Sequence, residues 1–220
     1  MRTQYSAENL LSEAKVDGDK WNRIPSDGEI GATVSALEKN GFKVFVVGDE
    51  HEALEQVKKI IPNGAEVMTG SSTTLAEIGF VDYLKEGKHG WENLHGKVLA
   101  ESDRAKQGEL RRKAVIAQYF LASANAVSQT GEIFACDASG SRVGAFLFAA
   151  KNLVIVAGVN KIVPSLNEAL ERIRQFAFPL ENVRAQKVYG MGSYPAKTAI
   201  LAREFQPRTT VILVKRKLGY

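Results

Sequence analysis

Apolar runs alternate with amphipathic stretches along most of the chain, and this pattern predicts strands and helices in alternation. Short apolar runs of the kind found in buried parallel strands occupy residues 42–48, 65–70, 119–124, 152–158 and 209–220, with a further short strand at 131–137. Apolar residues at helical spacing predict helices over residues 27–41, 52–61, 72–80, 103–119, 142–150 and 165–178. This order is typical of a mainly parallel sheet flanked by helices, so we predict an α/β fold.

Three of these helices carry definite predictions about burial. The helix at 103–119 turns its arginines outward and its apolar positions inward, namely Leu110, Ala114 and Ala117. The stretch RVGAFLFAA, residues 142–150, is apolar almost throughout and predicts a helix packed inside the fold. The helix at 165–178 places one set of apolar residues on a single side, namely Leu166, Leu170, Ile173 and Phe176.

The organisation along the chain is that of a short arm followed by one domain. Residues 1–25 contain no apolar core of signal-peptide length and predict a polar, partly helical arm. Residues 26–220 show no linker and no internal repeat, so we predict a single domain there. No window approaches the length needed to span a bilayer, and we expect a cytoplasmic protein without a membrane partner.

Composition and charge narrow the classes of function. The 29 Lys and Arg residues exceed the 25 Asp and Glu residues by 4, and this excess is spread along the chain. Such a spread is typical of a solvated basic surface and ranks nucleic-acid binding last. One cysteine, Cys136, excludes an intrachain disulfide and a cysteine-rich iron–sulfur site, and the three histidines match no metal-binding spacing. We therefore predict no metal and no cofactor held by this chain.

The stretch VMTGSSTTLAEIGF, residues 67–80, gathers hydroxyl residues between a predicted strand and a predicted helix. Ligands bind to open α/β sheets where such strand ends lead into helices, and hydroxyls add donors for phosphate or carboxylate oxygens. Helix capping by Ser72 or Thr73 is the structural alternative, but a cap requires one hydroxyl and Thr69 to Thr74 supply five. We favour an anion-binding role, although the segment is neither a Walker loop nor a dinucleotide fingerprint.

A second polar segment, residues 124–142, combines turn residues with charged side chains. It holds two carboxylates, Glu132 and Asp137, and it ends at Arg142, at the start of the apolar helix. Because burying an arginine alone is costly, Arg142 either forms an ion pair with Asp137 that braces the turn or faces a ligand. A carboxylate in a partly dry pocket is also suited to act as a general base or nucleophile.

A third segment, AGVNKIV at residues 157–163, follows the end of another predicted strand. Lys161 there is either an ordinary surface lysine or a point-charge partner for phosphate or carboxylate. The candidate ligand-binding residues of the three segments are Gly70, Ser71, Ser72, Thr73, Thr74, Asn125, Gly131, Arg142, Asn160 and Lys161. The candidate catalytic residues are Glu132 and Asp137.

In this order the motifs resemble the LUD (lactate utilization) domain family, which includes lactate utilization protein C. The matching stretches are GSSTTLAEIG, SANAVSQTGEI, DASGSRV, VIVAGVNKIV and EALERIR, and the resemblance spans roughly residues 31–178. It implies an α/β domain of the NagB/RpiA/CoA-transferase-like superfamily. MTGSSTT looks like the phosphate loop of some ribose-5-phosphate isomerases of that superfamily, which implies the anion role for residues 70–74. The turn from Gly131 to Arg142 resembles a superfamily active-site segment.

The resemblance implies two functions. As an accessory subunit, the protein binds a small carboxylate, phosphate or CoA-like anion and assists L-lactate oxidation with iron–sulfur partner proteins. Some short family members carry a C-terminal cysteine cluster, whereas residues 184–205 here contain no cysteine, which assigns any redox centre to a partner. As a stand-alone enzyme, the protein uses Glu132 or Asp137 on a sugar phosphate or CoA thioester. Both functions are compatible with a homo-oligomer.

Overall fold

The computed structural model describes residues 4–220, which form two sheets flanked by helices. The strands are β1 (Lys43–Val47), β2 (Glu66–Thr69), β3 (Glu92–Asn93), β4 (Tyr119–Ala122), β5 (Ala126–Ser128), β6 (Ile133–Asp137), β7 (Asn152–Gly158), β8 (Ile162–Val163), β9 (Lys197–Leu201) and β10 (Thr209–Val214). The α-helices are α1 (Ala7–Ala14), α2 (Gly18–Trp21), α3 (Asp27–Lys39), α4 (Glu50–Ile60), α5 (Thr73–Glu77), α6 (Phe80–Glu86), α7 (Leu94–Ala100), α8 (Arg104–Ala114), α9 (Ser141–Gly144), α10 (Leu166–Arg172) and α11 (Phe178–Tyr189). A π-helical turn, Ala145–Ala149, continues α9, another, Ile173–Ala177, joins α10 to α11, and a 3₁₀ turn, Val159–Lys161, follows β7.

The larger sheet has the strand order β1-β10-β7-β4-β2-β3, and each neighbouring pair is parallel. β7 lies near its centre, where Val154 stands between Leu121 of β4 and Thr210 of β10. Alternate residues of β7 point to opposite faces, so that Ile155 joins one hydrophobic cluster and Val154 the other. Both faces are therefore covered, as continuous apolar strands require, and the predicted α/β fold with a parallel sheet is confirmed.

The smaller sheet has the order β8-β5-β6-β9 and is mixed, with β6 antiparallel to β5 and β9 and β5 parallel to β8. The sequence predicted only β6 of these strands. β9 was missed because Ala199 and Leu201 are buried while the residues between and before them are exposed, a pattern too short and too polar to stand out. Ile133 packs in the same cluster as Leu153, so the smaller sheet covers one face of the larger one.

All three predictions of helix burial are wrong in part. Leu110 is partly exposed, whereas Ala114 and Ala117 are buried as predicted. The stretch 142–150 is not packed inside throughout, because Leu147 and Phe148 are exposed on the π-helical turn, where the backbone departs from the 3.6-residue spacing on which the prediction rested. In the helix at 165–178, Ile173 and Phe176 are buried but Leu166 is 39% exposed.

Helices α1 and α2 lie within the stretch predicted as a polar arm. Leu10 and Trp21 are buried there in a third hydrophobic cluster with Phe176 and Phe178, and residues 1–3 lie outside the described part of the chain. Of the helices in residues 4–220, none is long and apolar enough to cross a membrane.

We expect Phe120→Ala to destabilise the fold strongly. Phe120 is 2% exposed in the cluster beneath the larger sheet, and removal of its ring leaves a cavity at a cost of about 3–5 kcal/mol. Phe205→Ala is the matched control, because Phe205 is 98% exposed and its loss changes the free energy of unfolding by no more than about 0.5 kcal/mol. Urea denaturation measures both values, and equal effects of the two substitutions would contradict this assignment of the core.

Candidate functional site

A cavity of about 340 Å³ opens at the carboxyl ends of β2, β4 and β7. These three strands are neighbours in the larger sheet, in the order β7-β4-β2. The segments that follow them, residues 70–74, residues 123–125 and Lys161, line the cavity together. Three polar segments that lie far apart in the sequence thus meet at one edge of the sheet, where ligands bind in open α/β folds.

Residues 70–74 form one wall of this cavity and start α5. The Ser72 hydroxyl accepts a hydrogen bond from the Leu75 amide at 3.2 Å, so Ser72 caps the helix. Thr74 is buried, and its Oγ1 lies 3.0 Å from Lys161 Nζ. The segment therefore combines helix capping, which the sequence offered as the alternative, with a direct contact to the candidate lysine.

Asp137 and Arg142 also line the cavity, at the turn between β6 and α9. The Asp137 carboxylate accepts hydrogen bonds from the backbone amides of Gly140, Arg142 (3.1 Å) and Val143 (3.0 Å). One of the two alternatives from the sequence was an ion pair between Asp137 and Arg142 that braces the turn. Asp137 does brace the turn, but it contacts the backbone amide of Arg142 and not its guanidinium. The guanidinium of Arg142 donates instead to Ser123 O at 3.1 Å, to Asn125 Oδ1 at 2.8 Å and to Cys136 O.

Three cationic side chains converge on the three successive backbone carbonyls of residues 123–125. Arg142 donates to the first, Lys161 to the second at 3.0 Å and Arg172 to the third. Lys161 and Arg172 are fully buried, and Arg142 is partly buried and faces the cavity. We call these three side chains the cation cluster.

The cation cluster is not balanced by carboxylates in direct contact. None of the ion pairs formed within residues 4–220 includes Arg142, Lys161 or Arg172. Burial lowers the pKa of Lys161 well below its usual value, the charges of Arg172 and Arg142 lower it further, and Glu77 opposes this change. Burial likewise lowers the pKa values of Arg142 and Arg172. The site thus concentrates positive charge that the surrounding protein compensates only at a distance.

Three of the candidate residues lie elsewhere. Gly131, Glu132 and Asn160 are not among the described residues that line the cavity. Glu132 accepts hydrogen bonds from the hydroxyls of Ser128 and Thr130. The catalytic role of Glu132 stays a prediction, but the structure does not bring Glu132 to the cavity with Asp137.

Gly131 and Asn160 have structural roles away from the cavity. At Gly131, φ is +93°, and a side chain would meet the backbone of Ala36 in α3, so only glycine suits this turn. The buried Asn160 amide donates to Asn22 Oδ1 at 2.7 Å, and its oxygen accepts from the Leu218 amide at 3.0 Å. Asn160 thereby ties the segment after β10 to the edge of the sheet next to Lys161.

The sequence did not indicate the opposite wall of the cavity, which comes from α11, the loop after it and the segment after β10. Tyr220 donates from its hydroxyl to Glu181 at 3.0 Å, and Glu181 also pairs with Arg184 at 2.7 Å. Glu181, Arg184 and Tyr220 carry no motif of their own, because only the folded chain brings them to the strand ends. Ser123 begins the stretch SANAVSQTGEI but was not singled out there. The cavity-lining residues that sequence analysis missed are Ser123, Ala124, Cys136, Ala138, Ser139, Ser141, Phe178, Glu181, Arg184, Ala185, Tyr189, Met191, Gly192, Ser193 and Tyr220.

Comparisons with known proteins assign the chain to a family. A profile of the LUD domain matches residues 30–214, which is most of the chain. A solved structure described as a DUF162 family protein from Deinococcus radiodurans is similar at 15% identity and a TM-score of 0.49, with 86% of this chain and 99% of that chain covered. No curated protein sequence matches the chain. On the extent of the profile match, the chain belongs to the LUD domain family.

Proposed function

We propose that the protein binds a small organic anion, a carboxylate or a phosphate, in the cavity at the carboxyl ends of β2, β4 and β7. The observation that carries this proposal is the cation cluster, whose members form no ion pair within the described residues. A buried charge without a partner is costly, and an anion in the cavity supplies the missing countercharge. At about 340 Å³ the cavity lies at the lower end of the range for small-molecule sites.

Binding is better supported than catalysis by Asp137. Asp137 is the candidate catalytic carboxylate that reaches the cavity, and this favours an isomerase-like or CoA-transferase-like enzyme as the second candidate function. However, its two oxygens accept hydrogen bonds from the backbone amides that begin α9, so the carboxylate already has a structural role. Oxygens that are already engaged by the protein backbone are less available to contact a substrate.

The finer part of the proposal concerns the biological role. We infer that the anion-bound protein assists L-lactate oxidation together with iron–sulfur partner proteins. Membership of the LUD domain family supports this role, and the chain offers one cysteine, Cys136, which is buried. The partner would supply the redox centre, while this protein would bind lactate, its oxidation product or a phosphorylated effector.

Lys161→Met is the first test of anion binding. The substitution keeps the apolar stem of the side chain but removes the charge, so we expect anion affinity to fall about tenfold or more, because the anion loses one of the positive charges that balance its own. The free energy of unfolding should fall by about 1–3 kcal/mol, because Ala124 O and the hydroxyls of Thr74 and Ser123 lose their partner. Isothermal titration calorimetry with L-lactate, pyruvate, sulfate and phosphate measures the affinity.

The matched control for this test is Lys151→Met, at an exposed lysine that does not line the cavity. It should leave affinity and stability unchanged. If wild type and both variants bind every anion equally, or if none of the anions binds to the wild-type protein, the proposed function is wrong.

The dependence of stability on pH provides a second test. The pKa of Lys161 is lower in the folded protein than its usual value of about 10.4 in the unfolded chain, so the unfolded state binds more protons between these two values. The free energy of unfolding of the wild type, without anion, should therefore rise with pH in this window relative to Lys161→Met. Urea denaturation at a series of pH values gives the difference, and parallel curves would contradict a depressed pKa.

The lactate role has its own test in the native cell. A strain that carries Lys161→Met in place of the wild-type chain should grow more slowly on L-lactate but normally on glucose, and the wild-type protein should co-purify with iron–sulfur lactate-oxidising proteins. Lys151→Met serves as the control strain. If a strain that lacks the whole gene grew normally on lactate, this role would be refuted, but the proposal of anion binding would be unaffected.

A further inference from the structure

Lys161 has an unusual set of hydrogen-bond partners. Its Nζ lies 3.0 Å from Thr74 Oγ1, 3.0 Å from Ser123 Oγ and 3.0 Å from Ala124 O. These three partners match the three donors of an ammonium group, so a charged Lys161 has no donor left for a ligand in the cavity. Lys161 therefore acts on a ligand through its neighbours.

Two of these neighbours are hydroxyls, which both donate and accept. A charged ammonium donates to Thr74, Ser123 and Ala124, and each hydroxyl proton must then find another acceptor. A neutral amine donates twice and accepts once, and one hydroxyl proton then points at Nζ. The same three partners satisfy both protonation states, and the difference between the states is the direction of the hydroxyl protons.

The alternative acceptors for these protons within the protein are poor. Thr74 Oγ1 lies 3.5 Å from Leu218 O, and Ser123 Oγ lies 3.4 Å from Ala124 O, both longer than a good O–H···O hydrogen bond. Both residues line the cavity. When Lys161 is charged, an anion in the cavity is therefore the better acceptor for the two hydroxyl protons.

We propose that Thr74 and Ser123 hold the anion through their hydroxyls, and that the buried Lys161 amine takes up one proton when the anion binds. The inference rests on the proposed function and deepens it, because it names the donors and couples binding to proton uptake. The proton comes from the solvent and moves to Nζ, no covalent bond to the ligand forms, and the anion neutralises the charge that this proton adds. Lys161 is here a positioning residue for the two hydroxyls.

The charges that face Lys161 come from three helices. Arg172 of α10 and Arg142 of α9 oppose a proton on Nζ, whereas Glu77 of α5 favours it. Segment 123–125 and Gly219, which packs against Thr74 and Nζ, bring no titratable side chain. Burial and two positive neighbours disfavour the charged form of Lys161 more than one carboxylate favours it, so the site without its anion favours the neutral amine. A bound anion adds a negative charge and thereby favours the protonated form.

Calorimetric proton counting tests the proposal. Sulfate and L-lactate do not titrate near neutral pH, so each is titrated into the protein in two buffers of different ionisation enthalpy, at pH values from neutral to alkaline. We expect uptake by the wild type to approach about one proton per bound anion as the pH rises, and Lys161→Met to show none. Binding without proton uptake at every pH would overturn the proposal and leave anion binding intact.

Substitution of the hydroxyls tests the donors independently. Thr74→Val and Ser123→Ala keep most of the shape and remove one donor each, so each should weaken binding about tenfold, while Ser35→Ala, at an exposed serine of α3, should have no effect. Thermal unfolding of each variant without anion confirms that it is folded. Wild-type affinity in both folded variants would overturn the role of the hydroxyls, whereas a wild-type protein that binds neither anion would refute the proposed function itself.

Discussion

The site is organised by the need of three successive backbone carbonyls, those of residues 123–125, for hydrogen-bond donors. β4 ends at Ala122, and a buried carbonyl beyond the end of a strand must find a partner or lose stability. Arg142, Lys161 and Arg172 provide these partners from three different elements. Each donor is a long side chain, so its backbone can lie at a distance from the carbonyl that it contacts. Three elements are tied to one strand end in this way, namely α9, the 3₁₀ turn after β7, and α10.

The same solution accumulates charge. Neutral donors would have satisfied these carbonyls at lower electrostatic cost, but cations fix the strand end and also create a positive potential at the cavity. The charge of Asp137 opposes that of Arg142 without a direct ion pair, because the Asp137 oxygens accept hydrogen bonds from backbone amides. Under the proposed function, the hydrogen bonds that hold this strand end also place the charges that attract the anion.

The fold and part of the site could be predicted from the sequence for physical reasons. Strands buried on both faces, such as β7 and β10, are continuous apolar runs. Polar residues that follow such strands indicated the edge of the sheet where the cavity opens, and Lys161 and residues 70–74 do line that cavity. Arg172 could not be identified, because on an amphipathic helix it looks like any solvent-facing arginine and only tertiary packing buries it. The position of Glu132 away from the cavity could not be predicted either, because its hydrogen bonds to the hydroxyls of Ser128 and Thr130 form only in the folded turn.

Because β1 pairs with β10, the larger sheet cannot be completed in the order in which the strands are synthesised. β1 is an edge strand of the larger sheet and pairs there with β10, more than a hundred and fifty residues further along the chain. While the ribosome works through the residues between them, β1 has no sheet partner and its apolar side chains stay uncovered. Tyr220, which completes a wall of the cavity, emerges later still. The growing chain therefore presents an unpaired strand for most of its synthesis, a state that chaperones recognise and that favours aggregation, and ligand can support folding only after the last strand is in place.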